Sequence, residues 1–112
     1  MLAAIKHPCY PWKHVNIEPN LKLLQDIVGG DLEQVKNNFT NAIMYCNEMG
    51  DTLRYSPNFL IYDHASMRNP IACIKGTVVM FGPVDEEGKE THLSVSLFEE
   101  TIRYIKEIPC PL

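Results

Sequence analysis

The residues of this chain with the clearest capacity for binding chemistry lie between positions 45 and 70. Guanidinium groups bind phosphate or carboxylate through paired hydrogen bonds, while tyrosine rings and asparagine amides can contact a base. The candidate ligand-binding residues are Glu48, Arg54, Tyr55, Asn58, Tyr62 and Arg68. Because the apolar residues of Leu53–Pro70 follow neither helical nor strand spacing, we expect a long functional loop or a short irregular helix. The alternative is a solvated loop in which asparagines such as Asn47 only close turns.

Histidine and cysteine side chains near the N-terminus raise the question of a metal site. His7, Cys9 and His14 are close in sequence, but they lie around two prolines and no second pair of ligands matches them. Structural zinc sites use tighter ligand pairs, so we predict neither a metal nor a cofactor. No C-x-x-C pair is present, and we expect reduced thiols at all four cysteines, Cys9, Cys46, Cys73 and Cys110.

No pattern typical of a catalytic centre is visible. Asp63-His64 places a carboxylate beside an imidazole, but adjacent side chains rarely face one another and no nucleophile motif accompanies them. Gly29-Gly30 follows a predicted helix rather than a strand, which indicates a helix end and not a phosphate-binding loop. We therefore predict a protein without enzymatic activity.

Size and charge narrow the class of protein. The chain has 112 residues, 46% of them hydrophobic, which is enough for one core, so we assign residues 1–112 to a single domain. The formal net charge of −4 provides no positive field to attract duplex DNA. The first apolar run is too short for a signal peptide and no later run could span a bilayer, so we expect a cytosolic protein and no membrane partner.

Two helices are predicted from capping signals. Asn20 precedes the broad apolar stripe of Leu21–Val28, and Gly29 ends that helix. Ser96 and Glu99 fit a capping box at the start of a second helix, Leu97–Glu107.

The remaining apolar runs predict strands. They are Leu2–Lys6 and Trp12–Glu18, which suggest a hairpin, then Leu32–Val35, Ala42–Cys46, and Ile71–Phe81 with a bulge or a close backbone approach at Gly76. This order predicts an α+β domain in which an antiparallel or mixed sheet carries the two helices chiefly on one face.

Large apolar residues in segments expected to be exposed predict self-association. These residues are Trp12, Phe39, Phe59 and Leu60. Since exposed apolar patches tend to mark interfaces and a chain this small has a limited core, we expect a homodimer or a larger homo-oligomer.

Short motifs in a fixed order suggest a family. They are the Gly29-Gly30 helix end, the turn Asn47-Glu48-Met49-Gly50, Pro57-Asn58, the strand with Gly76-Thr77, and an acidic loop before the capped C-terminal helix. From Leu21 to Lys106 this arrangement resembles a small domain family of unknown function that occurs in bacteriophages and conjugative elements. Each motif is individually weak, and the resemblance depends on their order and spacing.

The resemblance implies an accessory protein of a mobile element, a setting in which small proteins often disable host defence. Together with the absence of a catalytic pattern, this predicts a counter-defence protein that sequesters a small nucleotide immune signal in pockets lined by the tyrosines and arginines. Two alternatives stay open. One is an inhibitor that binds a host defence protein directly, and the other is an enzyme that degrades a nucleotide signal.

Overall fold

The structure, a computed structural model, describes residues 1–37, 39–62 and 68–110. Within these ranges the chain forms two helices and eight strands, in the order β1 (Leu2–Lys6), β2 (Lys13–Asn16), α1 (Leu21–Val28), β3 (Leu32–Gln34), β4 (Ile43–Asn47), β5 (Pro57–Tyr62), β6 (Pro70–Lys75), β7 (Val78–Phe81), α2 (Val95–Ile102) and β8 (Ile105–Glu107).

Five strands form the larger sheet, in the spatial order β2-β1-β7-β4-β3, and every neighbouring pair is antiparallel. The predicted N-terminal hairpin is present, with Leu2 opposite Asn16 and Ile5 opposite Lys13. Successive side chains of a strand point to opposite faces, so Ala3 and Ala4 of β1 enter two different core clusters. The larger sheet is therefore covered on both sides.

Helix α1 covers one face of the larger sheet. Its buried residues Leu24 and Val28 pack with Ala3, Val79 and Phe81. The end signals predicted from the sequence are confirmed: the Asn20 side chain accepts a hydrogen bond from the Leu23 amide at 2.9 Å, and Gly29 has a left-handed backbone with φ of 84°.

The smaller sheet covers the other face. Its strands have the order β6-β5-β8, again antiparallel. Phe59 and Ile61 of β5 pack in one cluster with Met44 and Met80 of the larger sheet, and Phe98 of α2 joins that cluster. The α+β class and the antiparallel pairing are confirmed, with two sheets in place of one and with the two helices contributing to different clusters.

The second predicted helix is too long. Helix α2 ends at Ile102, and the residues after it form β8, in which Ile105 pairs with Ile61. The N-cap is Ser94 rather than Ser96, since the Ser94 hydroxyl accepts a hydrogen bond from the Leu97 amide at 3.1 Å. Ile105 recurs at helical spacing after Phe98, but it is buried by a strand partner instead.

The predicted strand Ile71–Phe81 is two strands in two sheets. Gly76, with φ of 79°, separates β6 from β7, so the chain leaves the smaller sheet and enters the larger one at this glycine. A continuous apolar run does not show such a change of sheet, because both halves contribute buried residues to one core cluster, Ile74 from β6 and Val78 and Met80 from β7.

The prediction of a loop or irregular helix over Leu53–Pro70 is wrong for its middle part, which is the six-residue strand β5. Phe59, which we expected to be exposed, is fully buried, and Trp12 and Phe39 pack against the same cluster. Leu60 is half-buried. The residues on which the predicted self-association depended therefore serve largely in packing.

The expectation of four reduced cysteines is also wrong for one pair. Cys9, after β1, and Cys110, after β8, form a disulfide with their Cα atoms 5.4 Å apart. The two residues are 101 positions apart, and that separation gives no sign of pairing. Cys46 is a buried free thiol and Cys73 an exposed one.

Candidate functional site

Asn47, the last residue of β4, organises the turn that follows. It is buried, and its side-chain oxygen accepts a hydrogen bond from the Met49 amide at 2.8 Å. Its amide nitrogen donates to the Val28 carbonyl oxygen at 3.3 Å and to the Tyr55 hydroxyl at 3.4 Å. Asn47 thus has the turn-closing role that the alternative interpretation assigned to it, and it also joins the end of α1 to Tyr55.

The glycines of the sequence motifs lie against Asn47 and Tyr55. A Cβ atom on Gly30 would be 2.8 Å from the Asn47 side-chain nitrogen, and one on Gly76 would be 2.7 Å from Tyr55 Cδ2. Side-chain atoms do not approach this closely, so both positions need glycine to admit their neighbours. Motifs that are far apart in sequence therefore meet at one place in the fold.

Asn58 lies in the interior between the two sheets, 0% exposed. Its amide nitrogen donates to the carbonyl oxygens of Lys6 and Gly76, each at 2.8 Å, and its oxygen accepts a hydrogen bond from Lys6 Nζ at 2.6 Å. All the hydrogen-bonding capacity of the amide nitrogen is used internally. Asn58 holds the sheets together and is not available to a ligand in this conformation.

The structure separates five of the six candidate residues into two groups, and the sixth, Arg68, lies apart from both. Asn58 and Tyr62 are buried, and the Tyr62 amide donates to the Tyr104 carbonyl oxygen at 2.9 Å. Glu48, Arg54 and Tyr55 remain together in the turn between β4 and β5, with Glu48 and Arg54 exposed and Tyr55 half-buried.

Arg68 is exposed and adjoins residues 63–67. That segment, including the Asp63-His64 pair considered above, lies outside the described residues. Nothing in the described part of the chain places Arg68 next to Arg54.

Residues 48–55 form what we call the Arg54 turn. Its backbone is held by hydrogen bonds from the Leu53 amide to the Met49 carbonyl oxygen at 2.8 Å and from the Tyr55 amide to the Gly50 carbonyl oxygen at 2.9 Å. Arg54 has a left-handed backbone with φ of 56°, a conformation uncommon for residues other than glycine. The apolar side chains of Met49 and Leu53 in the same turn are 44% and 52% exposed. A hydrogen-bonded turn thus exposes two apolar residues and an arginine.

Beside the turn lies a shallow concavity of about 290 Å³, which we call the Tyr55 groove. It is lined by Pro8, Ile27, Val28, Gly29, Tyr55, Ser56, Gly76 and Thr77. The Thr77 hydroxyl and the His7 imidazole Nδ1 are 2.8 Å apart in a hydrogen bond at its border. The groove combines an aromatic ring and apolar side chains with hydroxyl groups.

A second, smaller cavity of about 70 Å³ lies between β4 and β6, and Glu48 and Cys46 are among its lining residues. Burial raises the pKa of the Cys46 thiol to about 11, and the carboxylates of Glu33 and Asp51 contribute in the same direction. The thiol is therefore protonated at neutral pH, which makes it a poor nucleophile.

Metal binding requires a cluster of ligating side chains, and membrane spanning requires a long apolar helix. Among residues 1–37, 39–62 and 68–110, no group of three His, Cys, Asp or Glu side chains is arranged to hold a metal ion. In the same ranges neither helix has the length and apolar character needed to cross a bilayer.

The motifs that meet around Asn47 and Tyr55 belong to a sequence that matches a known protein family. The profile of one family, described as a domain of unknown function (DUF3846), matches residues 3–107. The chain belongs to this family. The matched range of this DUF3846 domain includes the N-terminal hairpin and β8, and so covers both sheets. No curated protein and no solved structure shows significant similarity to the chain.

Two features of the site escaped sequence reasoning. Lys6 was assigned only to a strand, yet it is the buried partner of Asn58; its position at the end of an apolar run was the available signal. Met49 and Leu53 were not selected because isolated apolar residues in a turn are common.

Proposed function

We propose that this DUF3846 domain is a non-enzymatic binding protein that contacts a partner protein through the Arg54 turn. The observation that supports this is that one short turn exposes two apolar side chains, Met49 and Leu53, together with Arg54. Methionine and arginine are enriched in the centres of protein interfaces, where a few such side chains provide most of the binding energy. No ion pair joins the Arg54 guanidinium to another residue of the described ranges.

The backbone of Arg54 gives independent support. A left-handed conformation costs an L-residue about 1 to 2 kcal/mol relative to the right-handed one, a cost that glycine avoids. Strained backbones of this kind concentrate at functional sites. A partner that binds the guanidinium gives this residue a role that glycine could not fill.

The turn is also held in place before any partner binds. Asn47 is hydrogen-bonded to the Met49 amide on one side, and Tyr55 packs against Gly76 on the other. A preorganised turn loses little conformational entropy on association, which favours affinity. The partner surface that fits it has an apolar depression for Leu53 and a carboxylate for Arg54.

The family's occurrence in bacteriophages and conjugative elements, which the sequence resemblance implies, suggests the class of partner. In that setting we propose a host defence protein in the host cytoplasm as the target. The negative net charge makes duplex DNA a poor partner for the same surface.

The test is capture of proteins from a lysate of bacteria that carry defence systems, with the intact chain as bait. Leu53→Ser and Arg54→Asn should each reduce the captured target at least tenfold, since asparagine tolerates the left-handed backbone but lacks the guanidinium. Val84→Ser is the matched control, because Val84 is similarly exposed (47%) in another loop. Equal capture of the same target by all four proteins would contradict the proposal.

A second candidate function, sequestration of a small nucleotide signal, is supported by the Tyr55 groove. Its volume of about 290 Å³ is at the lower limit for small-molecule sites, and the Tyr55 ring offers a surface on which a base can stack. Arg54, the preceding residue, could supply a cation for a phosphate.

Mass spectrometry of the small molecules released by heating the purified protein tests this candidate. An intact nucleotide should be released from the native protein and from Tyr55→Phe, which keeps the ring, but not from Tyr55→Ala. A degraded nucleotide would instead favour the enzymatic alternative. If no nucleotide is released by any of the three proteins, the groove is not a nucleotide store.

Self-association stays a proposal, and the structure offers a different surface for it. Strand β6 is an edge strand of the smaller sheet and exposes Ile71 and Cys73. Unprotected edges pair readily with a second chain. Light scattering at micromolar concentration should show a particle of at least twice 12.8 kDa, and a 12.8 kDa particle would refute it.

A further inference from the structure

Lys6 is a buried cation that forms no ion pair with a carboxylate of the described residues. Only 1% of the residue is exposed, and its ammonium donates to the Asn58 oxygen at 2.6 Å and to the His7 carbonyl oxygen at 3.5 Å. Both acceptors are uncharged. No carboxylate of residues 1–37, 39–62 and 68–110 lies within 4.0 Å of Lys6 Nζ. Burial of a charge that is not paired is costly, so the site favours an anion.

A cavity of about 340 Å³ is available next to this lysine. It is lined by Lys6, by Cys9, Tyr10 and Pro11 of the segment after β1, and by Glu107, Ile108, Pro109 and Cys110 at the end of β8 and beyond. The disulfide between Cys9 and Cys110 joins the two sides. The Tyr55 groove shares none of these residues.

The lining restricts the chemistry of a ligand. Tyr10, Ile108 and the two prolines present ring and aliphatic carbon, whereas Lys6 is the single cation. Glu107 carries a negative charge in the same lining and repels anions, the more so the higher their charge. Burial lowers the pKa of Lys6, and the negative charge of Glu107 acts in the opposite direction.

We propose that the cavity at Lys6 binds a small organic monocarboxylate, with the carboxylate at the Lys6 ammonium and the hydrocarbon part between Tyr10 and the prolines. A single charge satisfies the lysine with less repulsion from Glu107 than a phosphate dianion meets. Phosphate sites also use several donors, such as arginine forks or helix N-terminal amides, and this lining has none. The site is separate from the Arg54 turn and does not depend on the function proposed for it.

The test is a titration of isotope-labelled protein with benzoate, followed by the NMR signals of the Lys6 Cε–H groups. Saturable shifts of these signals are expected with benzoate. Benzamide, which has the same shape without the charge, should shift them at least tenfold less at equal concentration. Equal shifts with benzamide, or no saturable shift with benzoate, would overturn the proposal, and so would displacement of benzoate by a lower concentration of inorganic phosphate.

Two variants make the test independent of folding defects. Glu107→Gln removes the repelling carboxylate from an exposed residue and should tighten benzoate binding about fivefold. Glu99→Gln removes the same charge outside the cavity lining and should leave the affinity unchanged. Lys6→Met should abolish binding, but it also removes a partner of Asn58, so the Glu107→Gln result decides. Unchanged or weaker benzoate binding in Glu107→Gln would overturn the proposal.

Discussion

The Arg54 turn (residues 48–55) and strand β5 follow each other along the chain, yet they use similar residues differently. The turn exposes Glu48 and Arg54 to solvent, whereas β5 buries Asn58 and Tyr62 inside the protein. The neighbouring residues that each side chain meets in the fold account for the difference. Asn58 is enclosed by Lys6 of β1 and by Gly76 between β6 and β7, while the Arg54 amide donates to the Asp51 carbonyl oxygen of its own turn. Residue type alone therefore does not distinguish a binding residue from one that joins two sheets.

The largest effect on stability is expected from a substitution of the buried residue Asn58 in β5. Asn58→Ala leaves two carbonyl oxygens without a donor and removes the short hydrogen bond of the Lys6 ammonium. We expect the free energy of unfolding to fall by about 4 kcal/mol, measured by urea denaturation. The exposed Asn41→Ala is the control and should change stability by less than about 0.5 kcal/mol. A loss below about 1 kcal/mol in Asn58→Ala would show that water replaces the amide there.

The next largest loss of stability is expected at Gly76, where the Tyr55 ring of the Arg54 turn packs. Gly76→Ala places a Cβ 2.7 Å from the Tyr55 ring on a left-handed backbone, and we expect a loss of about 3 kcal/mol. Gly88 has nearly the same φ, 77°, with no atom within 4 Å, so Gly88→Ala should lose only about 1 kcal/mol.

A double variant isolates the contact with the ring. In a Tyr55→Ala background, Gly76→Ala should cost no more than Gly88→Ala does, because the clashing atoms are gone. If Gly76→Ala and Gly88→Ala are equally destabilising in the native background, Tyr55 does not rest on Gly76.

These positions also show what the sequence could and could not predict. Helix α1 was predicted correctly because its signals, Asn20 and Gly29, act on their own neighbours. Strand β5 was missed because Asn58 looks like a loop residue until Lys6, 52 positions earlier, is placed against it. The division of Ile71–Phe81 at Gly76 was missed for the same reason, since only the Tyr55 ring and the second sheet show why the chain turns there.

The candidate site, like the fold, was predicted correctly only where its residues are close in sequence. Glu48, Arg54 and Tyr55 lie within one short stretch of sequence, and they stay together in the turn. Asn58 and Tyr62 are not part of the exposed site, because β5 buries residues on both of its faces, these two among them. The sequence shows which candidate residues are close along the chain. It does not show which of them are buried, because burial depends on the pairing of strands that are far apart in sequence.

The smallest effect is a gain in stability, and it is expected from a substitution of Arg54 in the exposed turn. Arg54→Gly relieves the left-handed backbone and should raise the free energy of unfolding by about 1 kcal/mol. Arg54→Ala keeps the strain and should change stability by less than about 0.5 kcal/mol. Thermal unfolding of the three proteins measures this, and a loss of stability in Arg54→Gly would show that the guanidinium has a structural partner after all.

Strand β8 has a consequence for how the chain is made. The ribosome synthesises all five strands of the larger sheet, which ends at Phe81, before it reaches Ile105. Until then β5 and β6 form only a two-stranded ribbon, which is marginally stable alone. We expect the nascent chain to carry β5 with one unpaired edge throughout the synthesis of α2. Attachment of β8 to that edge is then the last pairing to form, and a chain that lacks the residues from Ile105 onward would leave the β5 edge open.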